Sequence, residues 1–128
     1  MEAKMLRHRW LWVALVACAG SVHAAEREDA ELAIAQASAA VQAAERNDAL
    51  LHAAPEANAA REHLLLAEHA FTRRDWLDST QAAEKARLDA DLASALTRER
   101  RATAARNEVE AGVRELRARS GLPAGGAP

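Results

Sequence analysis

The only cysteine of the chain, Cys18, closes the tetrapeptide Leu15-Val16-Ala17-Cys18, which resembles a bacterial lipobox. In that reading its thiol is the attachment point for acyl chains and Cys18 is the first mature residue. Leu, Val and Ala are also what any apolar run contains, and an unpaired Cys behaves as a small, soft hydrophobe, so a second reading stands beside the first. Val22 and Ala24 occupy the small-residue positions of an A-x-A-like cleavage site, which starts the mature chain at Ala25 instead. Neither reading leaves a partner for a disulfide within the chain.

Past Ala25 the only histidines, whose side chain suits metal binding or proton transfer, are His52, His63 and His69. His63 and His69 are six residues apart, about 240° round a helix, and cannot address one metal from one face. The chain has no histidine pair at i, i+4, no glycine-rich phosphate loop, and no nucleophile accompanied by a base and an orienting group. These residues predict no catalytic site, no metal and no cofactor.

The elements that carry Cys18 are those of an export signal over residues 1–24. Lys4, Arg7 and Arg9 precede an apolar run from Trp10 to Ala19, and Gly20-Ser21-Val22-His23-Ala24 supply small residues. The run is shorter than the ~20 apolar residues a bilayer span takes. The expected address is the periplasm, with a membrane tether if Cys18 is acylated.

Of the 128 residues, 50% are hydrophobic and only 3% aromatic, with a formal net charge of -2. Alanine supplies most of the apolar half, and each buried alanine removes little surface from water, so the core must be thin. Past Ala25 the only aromatic residues are Phe71 and Trp76, and before Ser120 only Pro55 and Gly112 interrupt the helix formers. This composition predicts an all-α fold.

Two breaks divide it. Pro55-Glu56 suits a helix start, because Pro at the first position gives up no needed donor and Glu complements the dipole. A turn is therefore expected over Leu51 to Ala54. Asp75, after Arg73 and Arg74, suits an N-cap whose carboxylate accepts a free backbone donor. The expected helices span 26–50, 55–72 and 76–119, with a disordered tail over 121–128 introduced by Gly121. Short loops make neighbours antiparallel, giving a three-helix hairpin or coiled-coil-like bundle with a long third helix. Ala30, Ala33, Ala37, Ala40, Val41 and Ala44, then Ala60, Leu64, Ala67 and Phe71, then Ala83, Ala86, Ala90, Ala93 and Thr97 recur at helical spacing and mark the seams. Phe71 and Trp76 flank the second turn and are expected to pack there, as a core contact rather than a ligand platform.

The runs Ala54-Pro55-Glu56, Ala60-Arg61, Leu64, Ala67, Ala70, Asp75-Trp76, Ala82-Ala83, Ala86 and Asp89-Ala90-Asp91-Leu92-Ala93 resemble a family of small alanine-rich proteobacterial envelope proteins, named only as a domain of unknown function. Its members are often lipoproteins or stand ahead of an OmpA-like peptidoglycan-binding domain. The resemblance spans roughly Glu31 to Ala95 and implies helical architecture and an envelope address, with no activity to carry over. No OmpA-like segment follows here, so peptidoglycan binding is not transferred, and Trp76 stands where many relatives have Tyr.

Charge is uneven. Acids dominate from Glu26 to Leu96, whereas Arg98, Arg100, Arg101, Arg106, Arg114, Arg117 and Arg119 outnumber Glu99, Glu108, Glu110 and Glu115 beyond it. Basic residues near a helix C-terminus offset the dipole, and mixed charge solvates an exposed helix. The sharper expectation is a contact surface, with Arg98 and Arg101 facing an anionic lipid, lipopolysaccharide or acidic protein. Val109, Val113 and Leu116 form a narrow apolar stripe for self-association, as in a head-to-tail dimer with acidic Glu26, Glu28, Asp29 and Glu31, or for another envelope protein. No aromatic interleaves the arginines to stack bases, so nucleic acid is not an expected partner. The functional expectation is a non-catalytic structural or adaptor protein of the envelope. The alternative is a soluble periplasmic chaperone-like or anionic-ligand-binding helical protein.

The first test is an intact mass of the chain matured in a bacterial host, with and without Cys18→Ser. An acylated start at Cys18 that the substitution abolishes is the expected product of the lipobox, and an unmodified start at Ala25 excludes it.

Overall fold

The computed structural model describes the backbone of residues 3–121 and the side chains of residues 24–121. Among these the chain is all-α. Its elements are α1 (Ala3–Arg46), α2 (Ala49–His52), α3 (Ala54–Thr72) and α4 (Trp76–Ser120). Residues 122–128 of the expected tail, and the side chain of Cys18, lie outside the described residues.

The first long helix differs from expectation at both ends, running from Ala3 and stopping at Arg46 instead of spanning 26–50. Its early start has a plain cause: no proline precedes Pro55, and Gly20 alone does not end a helix. Its early stop lies at Asn47-Asp48, where Asp48 adopts a left-handed conformation (φ 59, ψ 33). Asn and Asp enter that region more readily than other side-chain-bearing residues. Of the segment expected to be the turn, Leu51 and His52 close the single turn of α2, Ala53 is the one residue between helices, and Ala54 already opens α3. Pro55 lies in the first turn of α3, one residue after Ala54. It is exposed, so it favours this start through its fixed φ and missing donor, not through packing.

At the second turn Arg74 takes a positive φ of 66, and Asp75 occupies the N-cap position of α4. The expected side-chain cap is absent: the Asp75 carboxylate lies 3.2 Å from Nε of Arg73, drawn to the charged donor beside it. The Asp75 carbonyl opens the helix by accepting from the Ser79 N–H at 2.9 Å. Phe71 and Trp76 stack edge to face across this turn, ring centroids 5.0 Å apart at 65°. Such a contact contributes about 0.5–1.5 kcal/mol beyond its area. Gly121 closes α4 in the left-handed conformation that its missing Cβ permits, with its N–H on the Arg117 carbonyl.

The core follows from the small seam residues. Val41 and Ala44 of α1, Ala57 and Ala60 of α3, and Ala90 and Ala93 of α4 share one cluster with Ala49 and Ala53. A second joins Ala37, Ala67, Ala83 and Ala86. Descending α1 numbers therefore meet ascending α3 numbers, and ascending α4 numbers meet descending α3 numbers. So α3 is antiparallel to both neighbours while α1 and α4 run parallel. The largest fully buried side chains are Ser79 and Thr97. Ser79 Oγ donates to the Ala67 carbonyl at 2.9 Å, linking α4 to α3.

The inner faces meet mainly through alanine, with Ile34, Leu64 and Leu96 only partly buried against them, and such small seam residues suit the near end of the ~8–10 Å packing range. Ala86→Leu should therefore lower the unfolding free energy by about 1–3 kcal/mol through overpacking, and Ser79→Ala by about 1 kcal/mol through its lost hydrogen bond. Urea unfolding followed by circular dichroism measures both. A leucine accommodated at 86 without loss would show that the seam is not close-packed.

Candidate functional site

Seam and free helix meet at Thr97, the last buried residue of α4. From Arg98 to Ser120 every residue is exposed apart from half-buried Gly112, so about half of this 45-residue helix lies outside the buried seams. At ~1.5 Å per residue the free half extends about 34 Å beyond the bundle. Local ion pairs support it: Glu115 with Arg119 at 2.6 Å and Glu110 with Arg114 at 3.8 Å. Exposed pairs at this spacing contribute about 0.3–0.5 kcal/mol each.

The expected contact residues divide into two groups. Arg101 pairs with Asp48 within the chain, and its neighbour Arg100 donates to the His52 carbonyl. Both arginines link the α1–α3 connection to the root of the free half, so Arg101 already has an acidic partner within the chain. Arg98 is exposed at that root. Val109, Val113 and Leu116 are 66%, 39% and 65% exposed and lie on one side of the helix. At ~100° per residue this side is about 125° round from the buried seam. The stripe is therefore a second face, not a continuation of the first. Gly112 lies within it, and a Cβ there would meet nothing within 4 Å.

At the opposite pole, Ala24 and Ala25 are exposed residues within α1. Ala24 borders a cleft of about 630 Å³ lined also by Glu26, Asp75, Trp76, Leu77 and Asp78. The side chains at the turns, Phe71, Asp75 and Trp76, hold α3 against α4 as described above.

Sequence reasoning did not find the anchors. Asp48 carried a signal, since Asn-Asp favours a left-handed turn, but Pro55 drew the expected turn downstream. His63 Nδ1 lies 2.6 Å from the Asp89 carboxylate across α3 and α4. Arg61 pairs with Glu45 at 2.6 Å between α3 and α1. These pairs lie on surfaces that seam periodicity does not describe. Among the described residues no group of three or more His, Cys, Asp or Glu is placed to hold a metal ion. None of the described helices is long and apolar enough to cross a membrane.

No protein-family model matches the chain, and no curated protein or solved structure matches it significantly.

For the dilute chain alone, backbone amides from Ala102 onward should exchange with solvent faster than those from Ser79 to Thr97, because opening the helix beyond the Arg100 and Arg101 contacts breaks none of the seam packing. Hydrogen exchange read by mass spectrometry would detect the step. Equal protection on both sides of Thr97 would contradict an unsupported free half.

Proposed function

We infer that this is a non-catalytic helical adaptor of the bacterial cell envelope, acting through helix–helix contacts of α4. The observation that carries this reading is the free half itself. In proteins most helical stability comes from tertiary packing of an amphipathic face, yet here half of α4 extends past its bundle while exposing Val109, Val113 and Leu116 on one face. The arginines around that stripe suit an acidic partner face or, at a membrane, anionic headgroups. The export-signal pattern over residues 1–24 supports a periplasmic address, and the Leu15-Val16-Ala17-Cys18 tetrapeptide supports a tether through Cys18.

A photo-reactive side chain at Val113 in cells tests the reading. One or two cross-linked species of defined mass, lost on Leu116→Glu with helicity retained, is the expected outcome. A continuum of masses supports the chaperone-like alternative instead, and no adduct at all removes the contact role of the stripe.

A further inference from the structure

The outer side of α4 carries an apolar line of strict period seven. Leu88, Ala95, Ala102, Val109 and Leu116 are all exposed, Leu88 at 61%. The line begins on the bundle half, where Leu92 widens it at i+4, and crosses without a break into the free half, where Ala105 and Gly112 widen it. It lies about 140° round the helix from the seam of Ala83, Ala86, Ala90, Ala93 and Thr97. So α4 holds two heptad faces, and α1 and α3 use one of them. A sustained seven-residue repeat drifts about 20° per heptad on a straight helix and suits a left-handed pairing with another helix.

We propose that the occupant of this face is α4 of a second copy, running antiparallel, so that each free half lies along the bundle half of its partner. This rests on the reading of α4 as a contact helix and specifies what it contacts. Three features select it. The bundle half, Trp76 to Thr97, and the free half, Arg98 to Ser120, are almost equal in length, so with a two-fold axis near Ala102 residues 107–120 lie along 84–97 of the partner, while 98–106 of the two copies meet each other and both free halves come under cover together. The isologous contact closes at two copies.

Charge selects the direction and the register. When Leu88 of one copy lies opposite Leu116 of the other, Glu84 comes within two residues of the level of Arg119, Arg87 of Glu115, Arg98 of Glu108, and Glu99 of Arg106, each on its own flank of the line, four opposite-charge approaches against the like-charge approaches of Asp91 to Glu115 and Lys85 to Arg117. The two-fold axis repeats all four matches. Arg101 meets its own copy near the axis, and its bond to Asp48 already neutralises it. Parallel pairing would instead bring Arg101 up to Arg106 of the other copy, opposing like charges across the flank.

The third feature is the receiving surface. A cleft of about 310 Å³ between α1 and α4, lined by Leu32, Gln36, Ala83, Glu84 and Arg87, lies beside Leu88, where Leu116 and Arg119 of the second copy arrive. Leu32 is 58% exposed there.

Single cysteines in the full chain carrying Cys18→Ser test the pairing. Leu88→Cys and Leu116→Cys variants, one tagged to shift its mass, are mixed and oxidised. The expected result is an 88–116 disulfide about tenfold more abundant than either self-coupled product, with Ala102→Cys coupling to itself. Glu99→Arg should weaken the dimer about tenfold by light scattering, and Glu99→Arg with Arg106→Glu should restore it, helicity being unchanged throughout. At higher concentration the amides of the free half should gain protection. Self-coupling of Leu88→Cys and of Leu116→Cys, indifference to the charge swap, or a monomer at about 100 µM would each overturn the proposal. If defined hetero-partner adducts at Val113 persist in that case, the adaptor reading survives the loss of the dimer.

Discussion

Close backbone approach along alanine seams is the constraint on which the rest of this structure depends. Each buried alanine contributes little by area, so the bundle gains its cohesion from many short-range contacts between helix backbones held near one another. That mode of packing leaves little room for bulky residues at the centre of the inner faces: Ile34, Leu64 and Leu96 pack partly buried at the edges of the clusters, and most leucines are displaced outward. Leu65, Leu66, Leu77, Leu88 and Leu92 are all exposed on the helices that supply the seams. A protein cored on leucine would have these side chains inside and little left to show. Here the apolar surface available for association is a by-product of how the core is made.

The polar contacts add position more than energy. Arg61 with Glu45, His63 with Asp89, and Arg101 with Asp48 connect three different pairs of elements at half-exposed or exposed sites. Pairs of that kind are worth about 0–1 kcal/mol each. Their use is to fix which way the alanine faces slide and rotate, since small side chains interlock weakly and do not set register by shape alone. The clasp of Arg100 and Arg101 on the α1–α3 connection fixes where the bundle ends and the free half begins.

How far the sequence could be read follows from the same physics. The buried positions were legible because alanine recurs at three and four on every inner face, and Phe71 and Trp76 met as expected because no other aromatic competes in that part of the chain. The turn at Asp48 was not, because it rests on one residue's tolerance of positive φ while a proline seven residues on gives a louder signal. The Asp75 cap failed because a carboxylate between a backbone donor and a guanidinium chooses by local geometry. Val109, Val113 and Leu116 were visible as a stripe, but Leu88 and Ala95 were not joined to it. Only the burial of Ala90, Ala93 and Thr97 shows which apolar residues of α4 are already spent and which remain.

The parallel course of α1 and α4 makes the molecule a rod with two unlike poles. Ala37 lies beside Ala83 and Ala86, so the two helices are staggered, and Ala24 and Leu116 are separated by roughly 70 Å along the common axis at ~1.5 Å per residue. Whatever grips the N-terminal end of α1 is therefore held at a set distance from whatever meets the apolar stripe. The chain works as a spacer whose length is written in residue count, and adding or removing two turns of α4 beyond Thr97 would change its reach by about 11 Å without touching the core.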